Sequence, residues 1–573
     1  MTDNRLIYFS RKISGESLAD KVLMRPDKAN RHGFICGATG TGKSVTLKVL
    51  AESFSDLGVP VFMSDVKGDM AGIAVPGDDN EGMQARLDRF EIRDSFSYKG
   101  YPVSIFDIYA QKGTPLRTTV SEMGPQLFSQ VLDLNDIQTE LMQVIFKIAD
   151  DLGLILTDTK DMKAMIQYAA DHSDEFKMDY GLIPQQSAST IIRAIVSLES
   201  EGADKFFGEP AIDIRDFFLT APDGRGIINI LDAETLINKP RLYSAFMLYL
   251  LSELFEVLPE VGDPEKPKMV FFFDEAHLLF KNASKSLLEK IEQVVKLIRS
   301  KGVSIFFVTQ SPGDIPGAVM SQLGNKIEHG LHAYTPAEQK ALKAAADAFR
   351  ENPEFNTEEK LQNLGTGEAV VSTLDEKGAP SMAEYVAILP PQSRMGAISE
   401  EERSAALAAS PLNSKYLEMV DNVSAYEVIT GKAEASAPAQ GEAADGGFVN
   451  VSGIPAKEAT ARDAVMQSEA IETTIEVETS DEPEAAPARK TSKRRSNDDD
   501  VETVDRGGIG GMADSLLGKS GTRQVVRSTG GSIGREIGKT IGEAVLGKKG
   551  RTIGGNIGAA LGRNLFGTLS RKK

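Results

Sequence analysis

Cysteine is almost missing from this chain. Cys36 is the only one among 573 residues, so no disulfide can form within it, which fits a reducing compartment. A secretion signal is also lacking: "MTDNRLIYFSRKISGESLAD" carries charges where an apolar core would be needed, and a cytoplasmic location is expected. Long apolar runs are scarce. The longest, Leu242 to Leu258, is broken by Glu253 and Glu256, which marks a buried helix rather than a membrane span. Positive charge is in deficit, with a net charge of −19. The residues from Arg506 onward hold 13 Lys/Arg against three Asp/Glu, which leaves −29 on the first 505. Such an acidic body removes the simple electrostatic argument for a nucleic-acid surface, although a basic pore lining inside it remains compatible.

What is present is alternation of strand-like and helix-like segments, the pattern of a mostly parallel α/β sheet covered on both faces. "VPVFMSD" (59–65), "YPVSIFDIY" (101–109), "GIINIL" (226–231), "KMVFFFDE" (268–275), "GVSIFFVTQ" (302–310), "KIEHGLHAY" (326–334) and "GEAVVSTL" (367–374) read as strands. Residues 115–225 are helix-like and strand-poor, an all-α insertion. The globular domain is expected over 1–408, followed by a disordered acidic linker (409–505) rich in Ala, Glu, Ser, Pro and Asp. A basic tail (506–573) follows, with glycine at 18 of its 68 positions.

"GFICGATGTGKSVTLKVL" (33–50) carries the chemistry. A short apolar strand leads into a turn that fits G-x-x-x-x-G-K-[ST], and a helix follows. Gly37, Gly40 and Gly42 let backbone N–H groups curl around an anion. Lys43 can reach the outer phosphates, and Ser44 can hold Mg²⁺. The helix presents its positive dipole end to the same place. The expected nucleotide contacts are Gly37, Thr39, Gly40, Thr41, Gly42, Lys43, Ser44 and Val45, with ATP and Mg²⁺ as cofactors.

"MVFFFDEAHLLF" supplies the other half. Asp274, at the end of a buried strand, is placed to hold the Mg²⁺ water shell, and Glu275 to polarise the attacking water. The string DEAH does not imply a DEAH-box helicase, because no second RecA-like sheet with its own arginine motif follows; His277 is expected to start a helix. Gln310 ends the next strand, where its amide can sense a γ-phosphate. Arg299 either acts as an arginine finger in a neighbouring subunit or merely caps a helix C-terminus favourably. Arg117, Arg193, Arg225 and Arg350 are the reserve candidates. Asp65, Lys67 and Asp69 fall at the sheet's carboxyl edge, where ligands bind in such folds. His329 and His332, read as strand residues, point to opposite faces and are not expected to share a metal.

"NRHGFICGATGTGKS", "DVKGDMAGIA", "FFFDEAHLLF", "IRSKGVSIFFVTQSPGDIP" and "LGNKIEHGLHAYTPAEQKALKAAADAF" together resemble the HerA/FtsK superfamily of ATPases, and within it the bacterial YjgR-like group of HerA-like helicases. The resemblance runs to about residue 405. It implies a RecA-like core, a homo-hexameric ring with ATP at subunit interfaces, and roles for Lys43, Ser44, Asp274, Glu275 and Gln310. Only 36 residues precede Gly37, so it does not extend to the β-barrel domain that precedes the core in HerA itself. The family often has arginine where this chain has His332, which weakens any cationic role there.

The expected function is Mg²⁺-dependent ATP hydrolysis by an oligomeric motor, with DNA as substrate by resemblance. The alternative is an ATP-driven assembly or membrane-associated ATPase acting on a protein partner. The tail has two readings of its own. Glycines at 530, 534, 538 and 542, and at 550, 554, 558 and 562, each follow Ile533, Ile537, Ile541, Ile553, Ile557 or Leu561 in all but the first of each run. A four-residue period puts glycine on one helical face, suited to close packing against another tail or to lying on anionic lipid, with Arg535, Lys539 and Arg551 too polar for a span. The other reading is a flexible basic arm that touches nucleic acid.

Overall fold

Alternation along the central strands divides the core in two. Ile35 joins a cluster with Leu47, Leu50 and Phe54 of the helix Lys43–Asp56, whereas Phe34 and Cys36 join a second one with the helices Pro240–Val257 and Lys285–Ile298. The computed structural model describes residues 6–281, 285–431 and 449–450. Its strands are β1 (Ile7–Ser14), β2 (Ser17–Met24), β3 (Gly33–Cys36), β4 (Val61–Asp65), β5 (Val103–Asp107), β6 (Thr114–Pro115), β7 (Leu219–Thr220), β8 (Ile228–Asp232), β9 (Met269–Phe273), β10 (Val303–Thr309), β11 (Asn325–Glu328), β12 (Glu368–Ser372) and β13 (Glu384–Ile388). All of these but β7, which pairs with a fourteenth strand, β14 (Val449–Asn450), join a 12-stranded sheet in the order β2-β1-β13-β12-β11-β3-β10-β9-β4-β8-β5-β6.

From β11 to β6 every pair is parallel; from β12 outward to β2 every pair is antiparallel. Parallel strands buried on both faces need continuous apolar runs. "MVFFF" and "VSIFFVT" are buried at every position. This is the mostly parallel α/β architecture expected of a RecA-like core. The hairpin β1–β2, with its mixed burial, was not anticipated, nor was β13.

Between β6 and β8 the chain forms the helices Val120–Val131, Asp136–Asp151, Thr159–Asp171, Ser173–Tyr180 and Gln185–Glu199. Ile145, Ile148, Ile191 and Ile195 turn inward from two of them. The helix Pro240–Val257 buries the apolar run that Glu253 and Glu256 interrupt. Among the described residues no helix is long and apolar enough to cross a membrane.

The expected boundary at 408 falls short. The helix Pro411–Tyr416 buries Leu412 and Tyr416, and Ala425 is buried beyond it. Arg117 donates to the Tyr416 carbonyl at 3.0 Å, and the Tyr416 hydroxyl bonds Asp216. Composition alone misleads here, because a few large side chains suffice to anchor an otherwise polar segment. The remainder of the expected linker, and the glycine-rich tail, lie outside the described residues apart from 449–450.

Candidate nucleotide site

Parallel register brings the carboxyl ends of four strands to one edge. Thr309 of β10 lies opposite Cys36 of β3, Phe307 opposite Phe273 of β9, and Ser64 of β4 opposite Phe273. The glycine turn, Asp274–Glu275, Gln310 and Asp65 therefore emerge together.

The turn is shaped by what surrounds it. Gly42 has φ +116°, and a Cβ there would lie 3.1 Å from the Gly367 Cα. At Gly37 (φ +153°) a Cβ would meet the His329 Cβ at 2.5 Å. Backbone conformation disfavours a side chain at both places, and at Gly37 there is no space for one. Ala38 N–H donates to the Gly330 carbonyl at 2.9 Å, Gly367 N–H to the Thr41 carbonyl at 2.8 Å, and the Thr41 hydroxyl to the Ala38 carbonyl at 2.7 Å. Thr39 and Gly40 stay exposed at the tip. The helix Lys43–Asp56 begins at Gly42 and no side chain caps it. Its first-turn N–H groups have no carbonyl one turn back, so they and the dipole favour an anion. Lys43, buried, donates from Nζ to the carbonyls of Gly37 at 2.6 Å and Ala38 at 3.0 Å. Burial pulls its pKa down, against the charge of Glu275.

His329 supports this helix from behind. Its Nε2 lies 2.8 Å from Thr46 Oγ1 and its Nδ1 2.8 Å from the Glu368 carbonyl. A carbonyl can only accept, so Nδ1 carries the proton and Nε2 accepts from the threonine. The expected strand 326–334 stops at Glu328, so His329 and His332 do not alternate on it. His329 is buried, whereas His332 is exposed and stacked on Tyr334. In the sequence alone, His329 stands out only as half of an H-x-x-H pair. Its position one residue past the strand beside β3 is the signal that marks it.

Asp274 is buried, and its N–H donates to Ser64 Oγ at 3.2 Å. Burial raises its pKa to about 7, with Lys67 opposing. Its Oδ2 is buried with no hydrogen-bond partner. Such an orphaned carboxylate oxygen, on the same sheet edge from which the helix carrying Ser44 departs, fits a hard cation such as Mg²⁺. Glu275 adopts φ +49°, a left-handed conformation costing a non-glycine residue about 1 kcal/mol. The next residue, Ala276, fixes the turn by donating to the Val308 carbonyl at 2.8 Å. Gln310 Nε2 lies 3.3 and 3.2 Å from the two Glu275 oxygens, and Lys67 Nζ lies 2.7 Å from Oε1. Burial pushes the Glu275 carboxyl up, but Lys67 and Gln310 outweigh it and the net shift is downward, so the group is an ionised base at neutral pH. His277 starts the helix His277–Lys281, with Nδ1 3.4 Å from Glu275 Oε2.

The other expected residues separate. Asp65 accepts from the N–H groups of Lys67, Gly68, Met70 and Ala71, at 2.7 to 3.3 Å, and so shapes the 66–71 loop. Arg299 opens the 3-10 turn before β10 and pairs with Asp263 at 3.3 Å. Gln310 lies beyond the far end of the same seven-residue strand, about 20 Å away. Arg299 is thus remote from the site of its own chain. Arg117 and Arg225 are held by the Tyr416 and Gly100 carbonyls, and Arg193 by Thr190.

The family described as Helicase HerA-like C-terminal matches residues 10–573. The DNA double-strand break repair helicase HerA of Sulfolobus acidocaldarius is 20% identical over 380 residues, 63% of this chain and 65% of that one. HerA of Saccharolobus solfataricus is 22% identical over 360 residues, 61% of this chain and 63% of that one. The match thus spans less than two thirds of either relative. Among solved structures, VirB4 of Thermoanaerobacter pseudethanolicus aligns with a TM-score of 0.42 at 17% identity, covering 70% of this chain and 99% of that one.

Proposed function

This chain belongs to the HerA-like helicase C-terminal family of P-loop ATPases, and we propose that it is a Mg²⁺-dependent motor, assembled as a homo-hexameric ring, that moves on DNA. The observation supporting hydrolysis is the convergence of an uncapped helix N-terminus, Lys43, the orphaned Asp274 oxygen and the ionised Glu275 at one sheet edge. Lys43 binds the outer phosphates of ATP, exchanging its carbonyl partners for phosphate oxygens. Ser44 and Asp274 would hold Mg²⁺. When bound, Mg²⁺ neutralises phosphate charge and orients the β- and γ-phosphates. Glu275 accepts a proton from the attacking water, and Gln310, already bonded to that carboxylate, keeps it aimed at the terminal phosphate.

DNA as substrate rests on family similarity, since the body carries −29 and offers no broad cationic surface by composition. The deciding experiment is the ATPase rate of the full chain with and without single- and double-stranded DNA. Stimulation of tenfold or more supports the motor reading. Steady turnover that DNA leaves unchanged favours an ATPase acting on a protein partner, with the tail as its attachment to membrane or to other copies.

A further inference from the structure

Hydrolysis, as described, gives Lys67 no task. Its ammonium lies 2.7 Å from Glu275 Oε1, where Gln310 also donates; Gln310 and His277 approach Oε2 at 3.2 and 3.4 Å. Both oxygens of the general base are therefore engaged by protein groups. An ammonium 2.7 Å from Oε1 takes a place that a water would use and lowers the basicity of the carboxylate, so proton transfer to it is disfavoured while Lys67 stays there.

The two ends of the pair differ in freedom. The Glu275 side chain is 6% exposed and its turn is pinned by the Ala276–Val308 bond, whereas the Lys67 side chain is 41% exposed. Lys67 follows β4 on a loop whose backbone is tied down by Asp65, so the lysine stem alone can swing. It also interacts electrostatically with Lys43, the group that meets the outer phosphates. A terminal phosphate bound there brings two negative charges where Glu275 offers one, and an exposed ammonium follows the larger charge.

We propose that Lys67 is a positioning residue that detects the terminal phosphate: it clamps Glu275 in the arrangement seen here and, when a nucleoside triphosphate binds, transfers to the γ-phosphate and releases the base. Hydrolysis is thereby withheld until the phosphate to be cleaved is in place. This rests on the ATPase reading of the same site.

The test is equilibrium binding of methylanthraniloyl-labelled ADP, and of the equally labelled non-hydrolysable imidodiphosphate analogue standing in for ATP, to the full chain with Mg²⁺. Lys67→Met should weaken ATP about two- to fivefold, the range of one ion pair that is partly exposed, and leave ADP unchanged. Lys67→Arg should restore the preference for ATP. Glu275→Gln, which removes the competing charge, should bind ATP about threefold or more tighter than wild type, and this gain should vanish in the Lys67→Met/Glu275→Gln double variant. If Lys67→Met weakens ATP and ADP alike, or if the gain survives in the double variant, Lys67 only braces the turn and the proposal is wrong. Wild-type chain that shows no ATP binding sensitive to Lys43→Ala overturns the ATPase reading itself, and this proposal with it.

Discussion

His329 and Thr46 lie 2.8 Å apart, side chain to side chain, and tie the strand edge beside β3 to the helix that carries Lys43 and Ser44. Burial holds the ring's pKa at about 4, below its usual 6.5. The unfolded chain therefore takes up a proton between pH 6.5 and 4 that the folded chain refuses, so stability contributed by this group falls as pH drops through that window. His329→Gln keeps one donor and one acceptor but cannot titrate. Urea unfolding at pH 6.5 and pH 4.5 should show a pH slope smaller than wild type by up to about 1.4 kcal/mol per unit. An unchanged slope means the ring is not buried neutral.

Glu253 has the opposite sign. Burial in the helix Pro240–Val257, with Glu256 and Glu122 nearby, raises its pKa from 4.5 to about 7. The folded state binds the extra proton, and stability from this group is lost as pH rises from 4.5 to 7. Glu253→Gln, a neutral replacement of the same shape, should gain stability at pH 7.5 and change little at pH 4.5. Thermal melts at the two pH values read this directly.

Lys43 and Glu275 should part company kinetically. Lys43→Ala removes a ground-state phosphate contact and weakens nucleotide binding. Glu275→Gln retains binding and loses turnover by a factor of about 10²–10⁴, the usual worth of a general base. Equilibrium binding beside a steady-state phosphate-release assay separates the two. Normal turnover in Glu275→Gln would overturn the assignment of the base.

Arg299 is remote from its own nucleotide site, so any catalytic role must be played in a neighbour's. Mixing Arg299→Ala with Glu275→Gln subunits should then recover activity that neither variant has alone, because some interfaces in mixed rings carry both native groups. A mixture as inactive as its components counts against action across the boundary, and leaves Arg299 as the partner of Asp263.

The position of a truncation should matter sharply. A chain ending at Gly431 retains Tyr416, its bond to Asp213 N–H at 3.1 Å and the Arg117 contact, and should keep full ATPase activity. A chain ending at Ala408 loses a fully buried tyrosine and should melt several degrees lower, since removing a large buried ring costs about 3–5 kcal/mol. The glycine-periodic tail is missing from both. Light scattering and vesicle flotation should show lost tail-to-tail association between rings, or lost binding to anionic lipid, for the two alike, with the ring itself intact.

Much of this was legible in the chain itself. The strand-turn-helix around Lys43 and the run ending in Asp274–Glu275 are local patterns, and each residue type is demanded by one chemical task. The Lys67–Glu275 and His329–Thr46 contacts were not legible, because sequence separations of about 200 and 283 residues are closed only by strand order. The β1–β2 hairpin escaped notice for a different reason. Its faces are unevenly buried, so neither a clean alternation nor an apolar run announces it.

Strand order also sets a timetable for synthesis. β3, which launches the nucleotide loop, is flanked by β10 and β11, whose residues lie about 270 to 290 positions later. At ordinary translation rates that interval is about 15–60 s. During it, "GFIC" has two open edges and no partner strand, the situation that invites wrong pairing. Nucleotide cannot protect the chain during that interval, because the site that would bind it is complete only once β9, β10 and β11 have been made.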